Sequence, residues 1–436
     1  MRTVLLTLVT ALCLVFPLAA QTAREEIEAD RNKAGGVYCL YSQPKEAPAP
    51  APKGFKPFYI SHFGRHGARH NSADPAFLLN LLDRAAADGK LTPLGEDVRA
   101  RYTALYPQLK LREGDLTAVG TAQLEGIARR MMTLYPRVFR KGRTVQAVSS
   151  TSPRCLLSMA AFLQGLRSSG WKGEISLDTG NAWMRTVAPH RKANELYVQQ
   201  RARMRTEDRA AWEADVQRLR DEIDAQAFLS RLFTDEEWVR TQGDPQAFMK
   251  GFYSLAVSTP CTGLPGDFYD LFTPEELYGL WQVDNLRYYG YFGPSKYFGG
   301  TSWAIAAPAL EEIIAEADED LRTGTTAARL HFGHDVGLMC LYSLLALDGW
   351  GTQVDGLHEA ADAWRCYRIP MAANLQWIFY RNAAGDILVR LLVNEQEASL
   401  PVEPAAEGGF YRWEDLRAYC LERCSEARTL IERMPL

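Results

Sequence analysis

Short apolar runs that end in glycine or small polar residues recur three times along the chain, and each hands over to a loop or a helix start. The first, Phe58 to Phe63, is aromatic and β-branched over the length of a buried strand and is broken at Gly64 and Gly67. The second, Thr144 to Ser149, alternates as a strand does. It turns at Ser150-Thr151-Ser152-Pro153 into a helix that opens at Arg154 and continues to Leu166. The third, Ala327 to Phe332, is broken by Gly333; Val336 to Leu347 then runs almost unbroken in apolar residues. At about half the length of a membrane span, that run predicts a buried helix. Helical spacing also marks Ala76 to Ala86, Asp115 to Arg130 and the closing segment Trp413 to Arg433, and Leu375–Tyr380 and Ile387–Val393 read as a hairpin around Asn382–Gly385.

The stretch from Ala182 to about Gly300 has a different character, rich in helix formers, charges and aromatics. Glu207–Leu229 and Thr273–Tyr288 read as amphipathic helices with start signatures at Thr206 and Thr273-Pro274-Glu275-Glu276. Strands alternating with helices predict an α/β class: a mostly parallel sheet core flanked by helices, from residues 57–181 and 301–436. An inserted, mainly helical cap would occupy 182–300. No internal repeat is evident.

The termini add a compartment. Arg2, the apolar Val4–Val15 and the small residues Leu18-Ala19-Ala20 read as a secretory signal peptide over residues 1–20, too short for a span. Bulky Leu12 argues against a lipid anchor on Cys13. Export, to a periplasm or outside the cell, places the seven remaining cysteines where they can pair. Their odd number leaves at least one free, and Cys420 and Cys424, one helical turn apart, are poorly placed for each other. Residues 21–56 form an N-terminal segment ending in the Pro-Ala linker Lys45–Lys56, expected to be extended and poorly packed. A net charge of −4 over 436 residues gives no support to nucleic-acid binding, so any basic site is local.

Such a site sits on the first loop. Arg65, His66 and Arg69 put two guanidiniums and an imidazole within five residues of a strand end. Arginine offers a planar fork of donors that fits phosphate oxygens at any working pH, and an unprotonated imidazole is a competent nucleophile. Arg154 repeats the arrangement at a helix start, where free N–H groups also favour an anion. His334-Asp335 stand at the third strand-to-helix handover. Taken singly, each has an ordinary reading as well: solvated charges, a first-turn arginine, a helix N-cap. The spacing of His62, His66 and His70 would suit a metal on a continuous helix, which two glycines and a β-type run oppose. Arg191, Lys192, Arg201, Arg203 and Arg205 form a basic run, either a solvated face or a site for further phosphates.

Arg65-His66-Gly67-Ala68-Arg69 followed far downstream by His334-Asp335 resembles the histidine acid phosphatases, the larger-chain branch of the histidine phosphatase superfamily that includes phytases and multiple inositol polyphosphate phosphatases. Gly114-Asp115-Leu116-Thr117 with Gly120 and Gln123, Ser149–Leu166, Pro370–Leu375 and Val389–Asn394 resemble further family segments, in the family's order. Departures occur after Arg69, where His70-Asn71 replace the common proline pattern. They occur again at His334-Asp335-Val336, where many inositol polyphosphate phosphatases carry His-Ala-Glu and bacterial members often continue His-Asp-Thr. The resemblance implies that His66 accepts the phosphoryl group and that Arg65, Arg69, Arg154 and His334 bind its oxygens. Asp335 would protonate the leaving alcohol and then activate water. It also implies a small phosphorylated substrate such as phytate, with no cofactor and no metal. A broad acid phosphatase and a non-catalytic phosphate-binding protein are the alternative readings.

Overall fold

The computed structural model describes residues 21–435; the expected signal peptide, with Cys13, lies outside the described residues. The core is one eight-stranded sheet in the order β3-β2-β4-β1-β5-β6-β7, with β8 beside β6. The strands are β1 Lys56–Arg65, β2 Thr144–Ser149, β3 Glu174–Thr179, β4 Thr326–Gly333, β5 Asn374–Arg381, β6 Ile387–Val393, β7 Gln396–Glu397 and β8 Phe410–Arg412. The α/β core flanked by helices is as expected, and the mostly parallel expectation fits it loosely, because the sheet is mixed. β3/β2, β2/β4 and β4/β1 pair in parallel through helical crossovers, while β1/β5, β5/β6, β6/β7 and β6/β8 are antiparallel. The connection between β5 and β6 is too short for the crossover a parallel pair needs.

β1 lies near the middle and is buried on both faces, as its apolar run requires. Tyr59 and Phe63 face a large core shared with the helices Ala307–Thr323, Asp335–Leu345 and Trp413–Arg433 and with the helices of residues 182–300. Ile60 faces the second core, built on the helices Ala118–Leu134 and Pro153–Ser168. His62 points into that second layer, with ring centroids 5.0 Å from Phe162 and 5.8 Å from Phe332, and neither ring nitrogen has a hydrogen-bond partner. The three histidines thus fall on a strand, a strand end and a loop, so the helix on which they would stack does not form.

Burial, and then His331, push the His62 pKa down to about 3. The unfolded chain therefore binds a proton below about pH 6.5 that the folded chain refuses until about pH 3. Stability should fall with pH in that window by about 1.4 kcal/mol per pH unit for this residue alone. Denaturant unfolding of His62→Leu between pH 6.5 and 4.5 is expected to show a slope shallower by that amount. An unchanged slope would count against a buried, neutral imidazole.

Residues 182–300 hold the helices Glu195–Arg203, Thr206–Asp221, Ala225–Ser230, Glu236–Gln242, Pro245–Thr262 and Pro274–Phe292. The continuous helix expected over Glu207–Leu229 is two, because Asp224 accepts from the Ala227 N–H and starts a new one. The helices Ala76–Ala87 and Pro93–Leu109 pack with this layer: the Thr92 N–H donates to the Leu232 carbonyl, and Gly251 lies against Leu78. All seven cysteines from Cys39 to Cys424 are buried free thiols. The Pro-Ala segment is extended and tied at Ala49, whose carbonyl accepts from Arg390 and whose N–H donates to Glu397. Among the described residues no helix is long and apolar enough to cross a membrane.

Candidate active site

The sheet order brings the three strand ends together. β4 lies between β1 and β2, and the register sets Arg65 opposite Gly333 and Ser149 opposite Phe332, so the three parallel strands end level. Their next residues are His66, Ser150 and His334. In a parallel sheet, that rim of carboxyl ends is where ligands bind.

The first loop is pinned group by group. The Arg65 N–H donates to Ala373 O (2.8 Å), that of His66 to Gly333 O (3.1 Å), that of Gly67 to Ser158 Oγ (3.0 Å) and that of Ala68 to Gln123 Oε1 (2.9 Å). Thr117 caps the Ala118–Leu134 helix and also donates to Ala68 O. Any side chain on Gly120 would collide with the Ala68 backbone, so the helix start can press on the loop as glycine only. Gly120 and Gln123, singled out in the sequence, therefore act by holding the loop.

His66 is 2 % exposed. Its Nδ1–H donates to the Gly67 carbonyl at 3.0 Å, which leaves the Nε2 lone pair for attack. Burial holds its pKa well below the ordinary value, reinforced by Arg65, Arg69, His334 and Arg154, so the ring stays neutral in acid. Arg65 is wholly buried. Its Nη1 donates to Val37 O (2.6 Å) and Ile369 O (2.9 Å), and its Nη2 stands 2.9 Å from Asp335 Oδ2. Arg69 donates to Tyr38 Oη (2.8 Å) and Ser72 Oγ (2.9 Å) and lies 4.8 Å over the Tyr38 ring. Arg154 Nη2 is 3.5 Å from His334 Nδ1, and His334 Nε2 is 3.1 Å from Ser150 Oγ. His66 and His334 meet edge to face at 5.7 Å. All six residues named from the sequence are thus gathered at one rim.

Asp335 is the first residue of its helix, and one of its oxygens accepts from the Val336 N–H. Burial pushes its carboxyl up, but Arg65, His66, His334 and Arg69 outweigh it and hold the group well below the usual carboxylate range. Burial, then Arg154 and His190 among its neighbours, push His334 down to about 3, against the pull of Asp335. Three guanidiniums against one carboxylate leave two uncompensated positive charges beside a neutral nucleophile. The Nε–H groups of Arg65, Arg69 and Arg154 are buried and bonded to nothing within the protein. A tetrahedral dianion answers both demands, in charge and in acceptor oxygens.

Several residues of the rim were not among the candidates that the sequence singles out. Tyr38 and Val37 arrive from the N-terminal segment, and Ser150 and Ser158 sit in a small polar turn and a helix interior. From the cap come His190, edge-on to His334 at 5.6 Å, and Tyr288, whose hydroxyl pKa is raised by burial and then by the Asp335 charge. Of the basic run, Arg203 is spent on the carbonyls of Glu432 and Met434, and Arg205 pairs with Asp208. Arg191 and Arg201 lie within the field of His190.

The sequence model described as histidine phosphatase superfamily (branch 2) matches residues 64–394. Multiple inositol polyphosphate phosphatase 1 of Gallus gallus is 24 % identical over 375 residues, 81 % of this chain and 79 % of that protein. The crystal structure of a Bifidobacterium longum multiple inositol polyphosphate phosphatase with phosphate superposes with a TM-score of 0.75 at 20 % identity, over 90 % of this chain and 98 % of that one. A phytase from D. castellii gives 0.66 at 17 % identity, over 90 % and 85 %.

Proposed function

Because the chain belongs to the histidine phosphatase superfamily, branch 2, we propose that it is an exported phosphomonoesterase acting on inositol phosphates such as phytate through a phosphohistidine. One observation carries the reading: a neutral imidazole with a free Nε2 stands among three guanidiniums, with a carboxyl group at the same rim.

The chemistry follows from the geometry. Arg65, Arg69, Arg154 and His334 take the phosphate oxygens, so the phosphorus is presented to His66 Nε2 with its charge neutralised. The P–N bond forms as the ester P–O bond breaks, and Asp335 gives its proton to the departing oxygen. Asp335 is ionised in the free protein, paired with Arg65. A bound phosphate shares that guanidinium and adds negative charge beside the carboxyl, which raises its proton affinity. The ester's own second proton, with a pKa of about 6, supplies it in acid. Water then attacks phosphorus, Asp335 accepts its proton, the P–N bond breaks and inorganic phosphate leaves.

The inositol phosphate substrate rests on the names of the relatives and on the basic groups of the cap; export rests on the signal-peptide pattern. The test is a panel of phosphorylated compounds, phytate included, assayed for released phosphate with a strong chelator present. Release from phytate that persists with the chelator is expected. Loss of activity on chelation would replace this reading by a metal-dependent one, and tight binding without release would make the protein a phosphate-binding module.

A further inference from the structure

The cap reaches the reaction centre through the turn at Val187–Arg191. Gly333 at the end of β4 tolerates no side chain, because the Val187 carbonyl occupies the space its Cβ would take. That contact seats His190 against His334, with ring centroids at 5.6 Å and planes at 83°. His66 meets the same ring edge-on at 5.7 Å, so His190 stands one imidazole removed from the nucleophile. Its Nδ1 is buried without a partner, while the ring as a whole is only partly buried.

The groups facing His190 come from four places. They are Arg191 on its own turn, His334 and Asp335 at the start of the Asp335–Leu345 helix, Arg154 on the Pro153–Ser168 helix, and Arg201 on the Glu195–Arg203 helix. Arg201 is held by the rings of Tyr197 and Tyr291 at 5.2 and 4.8 Å. Arg191 is exposed. Burial, then Arg191, hold the His190 pKa at about 4. The surrounding charge is thus mainly positive, and a second anion entering here would turn the imidazole from a reluctant base into a willing one.

Resting on the phosphatase reading above, we propose that His190 and Arg191 bind the phosphate group next to the one transferred, His190 taking up a proton as that second phosphate arrives. The transferred group uses the donors around His66; His190, which the reaction steps do not employ, offers its unpartnered nitrogen one ring further out. The sign is fixed: an imidazole that is neutral in the free protein and protonated in the complex makes binding tighter as pH falls from about 6.5 towards 4. An isolated monoester gains nothing from it.

The experiment compares kcat/KM for phytate with kcat/KM for an aryl phosphate from pH 6.5 to 4.5. It uses the full chain as wild type, His190→Gln and His190→Lys. At pH 5 the ratio of phytate to aryl phosphate is expected to fall about ten-fold in His190→Gln, the loss of one charge-assisted hydrogen bond. In His190→Lys, which carries its charge at every pH of the series, the ratio should stay high at pH 6.5 and lose the wild type's rise towards acid. An unchanged ratio in His190→Gln overturns the proposal. So does an equal slowing of both substrates, which would mean that His190 merely props His334. If the Gln protein is poorly folded, the pH dependence of the Lys protein decides alone. A folded wild type that cleaves neither substrate contradicts the phosphatase reading itself; one that cleaves the aryl phosphate but not phytate overturns this inference.

Discussion

His66→Ala is expected to remove turnover of every phosphate ester, by about 10⁴- to 10⁶-fold, the scale on which loss of a covalent nucleophile acts. The Nε2 lone pair of the imidazole is free, since Nδ1 is committed to the Gly67 carbonyl. Removing the imidazole leaves Arg65 and Arg69 in place, because their anchors at Val37, Ile369 and Tyr38 do not involve His66, and Arg154 meets His334 instead. The variant should therefore still bind inorganic phosphate, and at least as tightly as the wild type. The measurement is steady-state hydrolysis of an aryl phosphate beside phosphate titration and a thermal melt. Loss of turnover with phosphate affinity retained separates a missing nucleophile from a collapsed site. Hydrolysis within ten-fold of wild type would remove His66 from the mechanism.

Asp335→Asn should divide substrates by their leaving group. An amide keeps the shape but neither gives a proton to the departing oxygen nor takes one from water. General acid–base assistance contributes about 10²- to 10⁴-fold, so alkyl phosphates such as inositol phosphates should lose turnover on that scale. Aryl phosphates, whose phenolate leaves unaided, should still phosphorylate His66 and then stall, because the second step needs the base. A burst of phenol close to one equivalent, followed by slow release of phosphate, is the expected trace. The substitution also removes the one carboxylate paired with Arg65. The site then holds three uncompensated guanidiniums, and phosphate should bind more tightly. Equal loss on alkyl and aryl substrates without a burst would assign Asp335 to binding instead.

The residues that gather at the rim were legible in the sequence because they announce themselves locally. Each lies just past an apolar run cut by glycine or serine, and parallel pairing brings such cuts to one edge. What escaped was of another kind. Tyr38 and His190 touch the rim, and Tyr288 lies within the field of Asp335, through the meeting of distant parts of the chain, and nothing in their neighbourhoods says so. β3 was missed because it is a polar edge strand whose Leu177 is 61 % exposed, which blurs its alternation. The Pro93–Leu109 helix hides behind two prolines, one admissible in its first turn and one near its end. The hairpin was legible, but its weight in the sheet was not: β1 turns out to be the seam between a parallel half and an antiparallel half. Pairing of the cysteines, which export would permit, is not needed to hold them, since each of the seven is already buried as a free thiol.

Trapping the intermediate tests the whole account at once. Labelled substrate is mixed with enzyme, quenched in alkali within a turnover, and the peptides are sequenced for retained phosphate. The account predicts a base-stable, acid-labile phosphoryl group on the peptide bearing His66, absent from His66→Ala and accumulating in Asp335→Asn. Turnover that proceeds with no label on the protein, or with the label on another residue, would contradict it.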